Sequence, residues 1–284
     1  MVPERFINLL LFPMPMTDIL VTNDDGYKSA GFVPLIKELT KKYSVTTIAP
    51  DRGRSWIGKA ITTKKKLRLK KIIYEGIDMY LLDGTPADCV QIGLYDLVET
   101  RPKIVLSGIN IGLNIGRART LSSGTIGAAI EGSIDGVKAI ASSLSIPLTM
   151  RENKTDFYNP KNYRYFENAA QITTKVTSIV IDNVFDGVDL FSLNIPFDAT
   201  VNTSLSITTL FKARYGRLFY RTGNTFIHQT PPVEFKNMDE YSDLRAIHDN
   251  TISLTPMNIS FAAQNSFNNV ERIFKKEWKS ELFY

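Results

Sequence analysis

Two neighbouring carboxylates, Asp24 and Asp25, carry the first hint of chemistry in this chain. They follow Ile19-Leu20-Val21, an apolar, β-prone run of the kind buried on both faces of a sheet. An Asp-Gly pair after a strand is ordinary turn chemistry, because Asp bonds its own backbone and Gly accepts positive φ. That reading accounts for Gly26 but not for the doubled Asp. Adjacent carboxylates at a buried strand end repel each other unless positive charge lies between them. A hard divalent cation removes that cost, and Asp oxygens are its preferred ligands.

Other polar residues fall at comparable addresses. Ser55 lies in the turn-rich segment Pro50 to Gly58, after a second apolar run, Val45 to Ala49, and is a candidate ligand or phosphate donor. Gly108 to Gly116 holds three glycines together with Asn110 and Asn114, so its backbone can come close to a ligand. Leu121 to Gly132 reads as the opening of a helix with Ser123, Gly124 and Thr125 at its N-terminus, where free amides favour an anion. This is phosphate-binding physics without the P-loop pattern. Cys89, in the first turn of another helix, has no histidine near it to act as base, so a buried structural thiol is expected. His228 and His248 both lie outside the motif-rich half, which argues against a phosphohistidine route. An aspartyl-phosphate phosphatase would place two Asp with one residue between them; Asp24 and Asp25 are adjacent, which makes Asp25 a poor covalent nucleophile.

Stepping from residues to the elements that must hold them, an α/β architecture follows. Phe32, Leu35, Ile36 and Leu39 have helical spacing within Gly31 to Lys42, so strand, acidic turn and helix form the first half of a βαβ unit. Ligands in such sheets bind beyond the carboxyl ends of the strands, where Asp24, Asp25 and Ser55 all fall. Lys64 to Lys71 reads as a half-buried strand, with Leu67 and Leu69 inward and a charged outer face, in preference to a nucleic-acid patch. A strand over 74–83 turns at Gly76. Thr85, Pro86 and Asp88 spell a capping box for a helix through Val90, Ile92, Leu94 and Leu97. Further strands are expected at 103–107, 137–142, 190–194, 205–210 and 253–256, with helices at 163–180 and 269–278.

Composition narrows the class. The 284 residues are 43% hydrophobic and 22% charged, as in globular proteins, and a net charge of +5 suits phosphorylated substrates without selecting them. One cysteine excludes an intramolecular disulfide and fits a reducing, cytoplasmic setting. No apolar run approaches the ~20 residues that span a membrane. Residues 1–15 contain an apolar core, Phe6 to Phe12, but Glu4 offsets Arg5 and no small-residue cleavage site follows. They read as a dispensable extension.

Taken together, these segments resemble the SurE (stationary-phase survival protein) family of metal-dependent nucleotidases. The likeness rests on Ile-Leu-Val-Thr-Asn-Asp-Asp-Gly (19–26), Ala-Pro-Asp (49–51) with Arg54-Ser55, and Gly-Thr-Pro-Ala-Asp-Cys (84–89). It continues through Ser-Gly-Ile-Asn (107–110), Asn114, and Ser-Gly-Thr (123–125) with Glu131-Gly132, and more weakly through 242–244 and 252–256. Order and spacing agree across roughly residues 17 to 145, which is more specific than any single motif. The resemblance implies a Rossmann-like three-layer αβα core with a mostly parallel sheet, and a C-terminal extension used in dimers or tetramers. It implies an N-terminal extension over 1–16, a phosphatase domain over 17–262 and a helical tail over 263–284.

The activity implied is removal of phosphate from nucleoside 5′- and 3′-monophosphates, with short polyphosphate as a further substrate, by attack of a metal-activated water. One Mg²⁺ or Mn²⁺ per subunit would be held by Asp24, Asp25, Ser55 and Asn110, with Asp24 or Asp25 taking the proton. Asn23, Asn114, Ser123, Gly124 and Thr125 would surround the phosphate. Two departures stand out: Lys59 where members often have a histidine, and Arg117-Ala118-Arg119 in a slightly longer segment before Ser-Gly-Thr. A non-catalytic nucleotide-binding protein could use the same strand-end loops. Neither nucleic acid nor a membrane is expected as a partner.

Overall fold

The structure, a computed structural model, describes residues 16–230, 238–260, 262 and 266–277. In chain order, β1 (Ile19–Thr22) leads through the acidic turn into α1 (Phe32–Leu39) and β2 (Val45–Pro50). The hairpin of β3 (Leu69–Tyr74) and β4 (Ile77–Leu82) turns at Glu75-Gly76, both at positive φ, as a two-residue hairpin requires. α2 (Pro86–Ile92) carries the capping box read from the sequence and runs on as a π-helical turn, Gly93–Leu97. Then come β5 (Ile104–Ile111), α3 (Gly116–Ser122), α4 (Gly124–Ile134), β6 (Lys138–Leu144) and the short α5 (Leu148–Glu152). A 3₁₀ turn, Pro160–Phe166, enters α6 (Glu167–Asp182), followed by β7 (Leu190–Ile195) and β8 (Leu205–Ile207). A separate hairpin, β9 (Phe219–Thr222) and β10 (Thr225–His228), precedes α7 (Asp243–His248), β11 (Ile252–Met257) and α8 (Phe267–Glu277).

One nine-stranded sheet organises these elements, in the order β3-β4-β2-β1-β5-β6-β7-β11-β8. From β4 to β7 every neighbour is parallel; β3 and β11 join antiparallel, and β8 pairs parallel with β11. The chain leaves β1 toward β2 on one side and returns to β5 on the other, so β1 ends at the topological switch point.

Both faces are covered. Ile19 and Val21 join Phe32, Ile36, Phe166, Ile172 and Val176 in the core beneath α1 and α6. Leu20 points the other way, into a second core with Ile48, Cys89, Val90, Val105, Ile126 and Ala129 under α2 and α4. Alternation along a strand buried on both faces produces this split. Each fully buried Leu, Ile, Val or Phe among these contributes about 1.5–3 kcal/mol of hydrophobic stabilisation.

Several boundaries differ from the sequence reading, for local reasons. β5 continues through Gly108 to Ile111, where glycine density reads as a loop; after a register shift the strand still pairs Asn110 with Ser143 and Ile111 with Leu144. The Gly108–Ile109 peptide is cis. β3 starts at Leu69, later than the Lys-rich run, and as the sheet's edge it leaves Leu69 42% exposed. α1 stops at Leu39, whose carbonyl accepts the Lys42 and Tyr43 amides as the chain turns toward β2. Pro160 and the 3₁₀ turn delay α6 until Glu167. The helix expected to open near Leu121 is two helices, broken at Ser123, whose ψ of 128° is extended. β8 ends at Ile207 because Thr209 bridges to Ser242. Residues 1–15 and Trp278 lie outside the described residues.

Candidate active site

At the end of β1 the chain folds back on itself. Asn23 is fully buried; its Nδ2 donates to the Gly26 carbonyl at 2.9 Å and its Oδ1 accepts the Gly26 amide at 3.2 Å. Gly26 takes φ +88°, a conformation strained for other residues. With the turn locked from both ends, Asp24 and Asp25 are only 4% and 8% exposed. Thr125 donates its hydroxyl to Asp24 Oδ1 at 2.7 Å, and the Gly124 and Thr125 amides address the same carboxylate. The Ile111 amide donates to Asp25 Oδ2 at 2.9 Å. β1, β5 and α4 therefore converge on two acids.

Close approach of α4 requires Gly124. A Cβ there would lie 2.8 Å from the Asp24 Cβ and 3.0 Å from Asp24 Oδ2. Burial raises the Asp24 carboxyl above the ordinary range, against its hydrogen bonds. Burial first, then the charge of Asp24, push Asp25 up to about 8. Two carboxylates so placed are costly as anions in the protein alone, and a dication reverses the sign of that cost.

The loop carrying Ser55 is fastened at several points. The Arg54 amide donates to the Asp24 carbonyl at 2.6 Å, and the Gly58 amide to the Ser122 carbonyl at 2.9 Å. Farther along, the Thr85 hydroxyl donates to the Ala60 carbonyl at 2.6 Å, and the Thr62 amide and hydroxyl donate to Asp88 at 2.9 and 2.5 Å. The capping residues of α2 thus also hold this loop. Ser55 stands exposed between these ties, next to Trp56, a non-glycine residue at φ +61°.

Asn110, half-buried on β5, donates Nδ2 to the Gly112 carbonyl at 2.6 Å. Asn114 is buried: its side chain donates to Ser143 Oγ at 2.9 Å and its amide to Asn194 Oδ1 at 2.9 Å. Ser123 caps α4 by accepting the Ile126 amide at 3.2 Å. The residues expected around a phosphate therefore also build the frame, and Thr125 in particular serves Asp24.

Among the described residues no group of three or more His, Cys, Asp or Glu is placed to hold a metal. The donor set suited to one is two carboxylates supplemented by the neutral oxygens of Ser55 and Asn110. All-oxygen donors are those preferred by Mg²⁺ and Mn²⁺. On donor chemistry and the buried acid pair, the residues fit a divalent ion.

Three contributors have weak or no sequence signal. Tyr158 reaches the acidic site from the connection between β6 and α6: its hydroxyl lies 3.6 Å from where a Gly53 Cβ would sit, and burial with the charges of Asp25 and Asp24 raises its phenol pKa. The preceding Phe157 fixes that segment by accepting the Ala30 amide at 2.8 Å and packing edge-on against Phe166. Asn194 braces Asn114 from β7. Asp243, fully buried, accepts the Gly116, Phe211 and Leu244 amides at 2.7, 3.0 and 2.7 Å, anchoring the start of α3. Asp243 lies in a segment of the family likeness and Asn194 ends an expected strand, but neither was marked for the site, and Tyr158 lies in no segment the sequence had marked. Lys59 pairs with buried Glu131 on α4, which also accepts from Gln91 Nε2 at 2.5 Å, so the Lys59 departure has a structural partner.

The chain is similar to proteins of one family. A family described as survival protein SurE matches residues 19–217. The 5′-nucleotidase SurE of Thermoanaerobacter sp. (strain X514) is 34% identical over 255 residues, covering 88% of this chain and 95% of that protein. The 5′-nucleotidase SurE of Methanococcus vannielii is 35% identical over 271 residues, covering 92% and 99%. The crystal structure of the SurE protein from Aquifex aeolicus superposes with a TM-score of 0.73 at 26% identity, covering 90% of this chain and 98% of that one.

Proposed function

The chain belongs to the SurE family, and from that premise we propose that it is a divalent-metal-dependent phosphomonoesterase acting on nucleoside 5′- and 3′-monophosphates and on short polyphosphate. Hydrolysis of phosphoric monoesters is the activity its relatives are named for. One observation carries the reading most: two buried carboxylates at the end of β1, oriented by the Thr125 hydroxyl and the Ile111 amide.

Asp24, Asp25, Ser55 and Asn110 would hold one Mg²⁺ or Mn²⁺ per subunit. Such an ion would supply polarisation of the phosphoryl oxygens and activation of a water for attack at phosphorus. The chain's own part is to orient and to move protons. Asp24 or Asp25 accepts the proton released by the water. Thr125 and the Gly124 amide fix Asp24 in place, leaving Ser123 and Asn114 beside the phosphate at the positive end of α4. Asn23 acts indirectly, by holding the turn. The unit over 17–262 contains every one of these residues.

We further propose dimers or tetramers formed through the C-terminal part. The exposed Phe267, Val270, Ile273 and Phe274 of α8 support this, and light scattering would test it. The single cysteine, free and buried, accords with a cytoplasmic setting. Among the described residues no helix is long and apolar enough to cross a membrane.

The test is phosphate release from a panel of nucleoside monophosphates with each metal in turn. Activity is expected with Mn²⁺ or Mg²⁺ and absent with chelator. Asp24→Asn should lower kcat by about 10²–10⁴-fold and abolish the rise in Tm caused by Mn²⁺. Nucleotide binding without turnover under any metal would instead favour a binding protein.

A further inference from the structure

Beyond β8 the chain runs from Phe211 to Arg221 with four cations, Lys212, Arg214, Arg217 and Arg221, four aromatic rings and no acid. Burial alternates along its first part: Phe211, Ala213 and Tyr215 are half-buried, while Lys212 and Arg214 are exposed. The inner side is fastened to α3. The Arg117 amide donates to the Phe211 carbonyl at 2.9 Å, and a Cβ on Gly116 would lie 2.8 Å from the Ala213 Cβ. Tyr215 donates its hydroxyl to the Ala118 carbonyl and Ser122 Oγ.

A file of rings then leads outward from the candidate site. Trp56 directly follows Ser55, and the next residue, Ile57, packs at Gly124, the glycine that touches Asp24. The Trp56 ring meets Tyr215 at 5.3 Å between centroids and His228 at 4.9 Å, and His228 meets Phe219 at 5.4 Å. Phe219 pairs with His228 and Arg221 with Phe226, so all four project from one face of the β9–β10 hairpin, the face that meets Trp56. Trp56, Phe219 and Phe226 stay exposed.

Among the described residues Lys212, Arg214, Arg217 and Arg221 enter no ion pair. Arg217 and Arg221 bond only the Phe219 and Gly223 carbonyls, and Arg217 lies over the Tyr220 ring, 4.8 Å from its centroid. Cations interleaved with exposed rings suit single-stranded nucleic acid, whose phosphates follow the charges and whose bases stack on the rings. A duplex offers such rings no base faces. The file ends beside Ser55, where the last phosphate of a strand would enter the acid site.

We propose that residues 211–228 form a single-strand subsite, and that the protein removes the terminal phosphate of short single-stranded oligonucleotides. Water gives its hydroxyl to phosphorus and its proton to the leaving oxygen, so the strand departs with a free terminal hydroxyl and inorganic phosphate is released. The inference rests on the hydrolase reading of Asp24 and Asp25 and extends it from mononucleotides to polymer ends. Lys64 to Lys71 gave no reason to expect nucleic acid; this second basic segment does, because it adjoins the site.

The experiment gives the full chain with Mn²⁺ a nucleoside 5′-monophosphate and single-stranded hexanucleotides phosphorylated at the 5′ or the 3′ end. Fluorescence anisotropy on metal-free protein follows binding of a labelled hexanucleotide. Phosphate release is expected from at least one hexanucleotide, at a KM about tenfold below that of the mononucleotide or lower, and the end that responds identifies the polarity. Combining Arg214→Gln, Arg217→Gln and Arg221→Gln should raise the hexanucleotide KM about ten- to a hundredfold and leave kcat/KM on the mononucleotide unchanged. The same variant should flatten the log–log salt dependence of binding by about two. Phe226→Ala, a single change on the hairpin surface, should weaken strand binding about five- to a hundredfold and covers the case of a triple variant that does not fold. No release from either hexanucleotide, while the mononucleotide is hydrolysed, overturns the subsite and leaves the hydrolase reading intact. Equal losses on both substrate classes, duplex bound as tightly as single strand, or capture of phosphatidylserine vesicles without strand binding overturn it as well. No turnover of any substrate, with strand binding retained, rejects the hydrolase reading and the proposed activity with it.

Discussion

At Asp24 the protein leaves no room for error. Gly124 touches the carboxylate so closely that a single methyl group would displace it. Gly124→Ala should keep the fold, lower kcat by about a hundredfold and weaken the Mn²⁺-induced rise in Tm. Wild-type kinetics in that variant would show that Asp24 has latitude the packing denies. Lys59 presents a different dependence. It neutralises a glutamate that is 3% exposed, and Lys59→Ala leaves Glu131 with Gln91 but without its cation. A loss of about 1–3 kcal/mol in urea unfolding is expected, largely recovered when Glu131→Gln is added. No recovery in the double variant would show that the ion pair is not what stabilises this contact.

Elements transmit these constraints. α2 matters less for what it covers than for what its first turn grips, since Thr85 and Asp88 hold Ala60 and Thr62 on the Ser55 loop. Thr85→Ala should cost about 1 kcal/mol as a lost cap, yet reduce kcat/KM by more than that stability change accounts for. A variant as active as wild type would detach the loop from the helix start. The capping box itself was legible in the sequence, because Thr85, Pro86 and Asp88 act within four residues of one another. So was β1, whose unbroken apolar run matches burial on two faces. The extension of β5 was not: Gly108 and Gly112 advertise a turn, while the pairing that keeps the segment in the sheet comes from Ser143 and Leu144, over thirty residues away. Tyr158 beside the acids and Asn194 bracing Asn114 were hidden for the same reason. Each depends on a neighbour distant in the chain, and no local spacing encodes it. Asp24 and Asp25 were conspicuous because their cost is local and their relief is not.

Across the whole molecule, the end of the sheet where its central strands begin, opposite the candidate site, has its own fastening. Asp18 accepts from Lys103 Nζ at 2.8 Å, from the Ser44 amide at 3.0 Å and from Ser44 Oγ at 2.8 Å, joining the starts of β1, β2 and β5. The Lys103 bond, then those from Ser44, lower its carboxyl from the ordinary 3.8 to about 2. An acid depressed on folding contributes stability above its unfolded value and loses it as pH falls through the folded one. Wild type should therefore exceed Asp18→Asn in urea midpoint at neutral pH, the gap closing between pH 3.8 and about 2. A gap that persists at pH 2 would assign the effect to shape rather than charge.

Asp24 and Asp25 receive their partners from Thr125 and Ile111, 101 and 86 residues later in the chain. During synthesis the two acids leave the ribosome long before either partner exists. A half-made polypeptide thus carries the two acids but no means of aiming them, and under the proposed function it would not hydrolyse nucleotides until the sheet around them has closed.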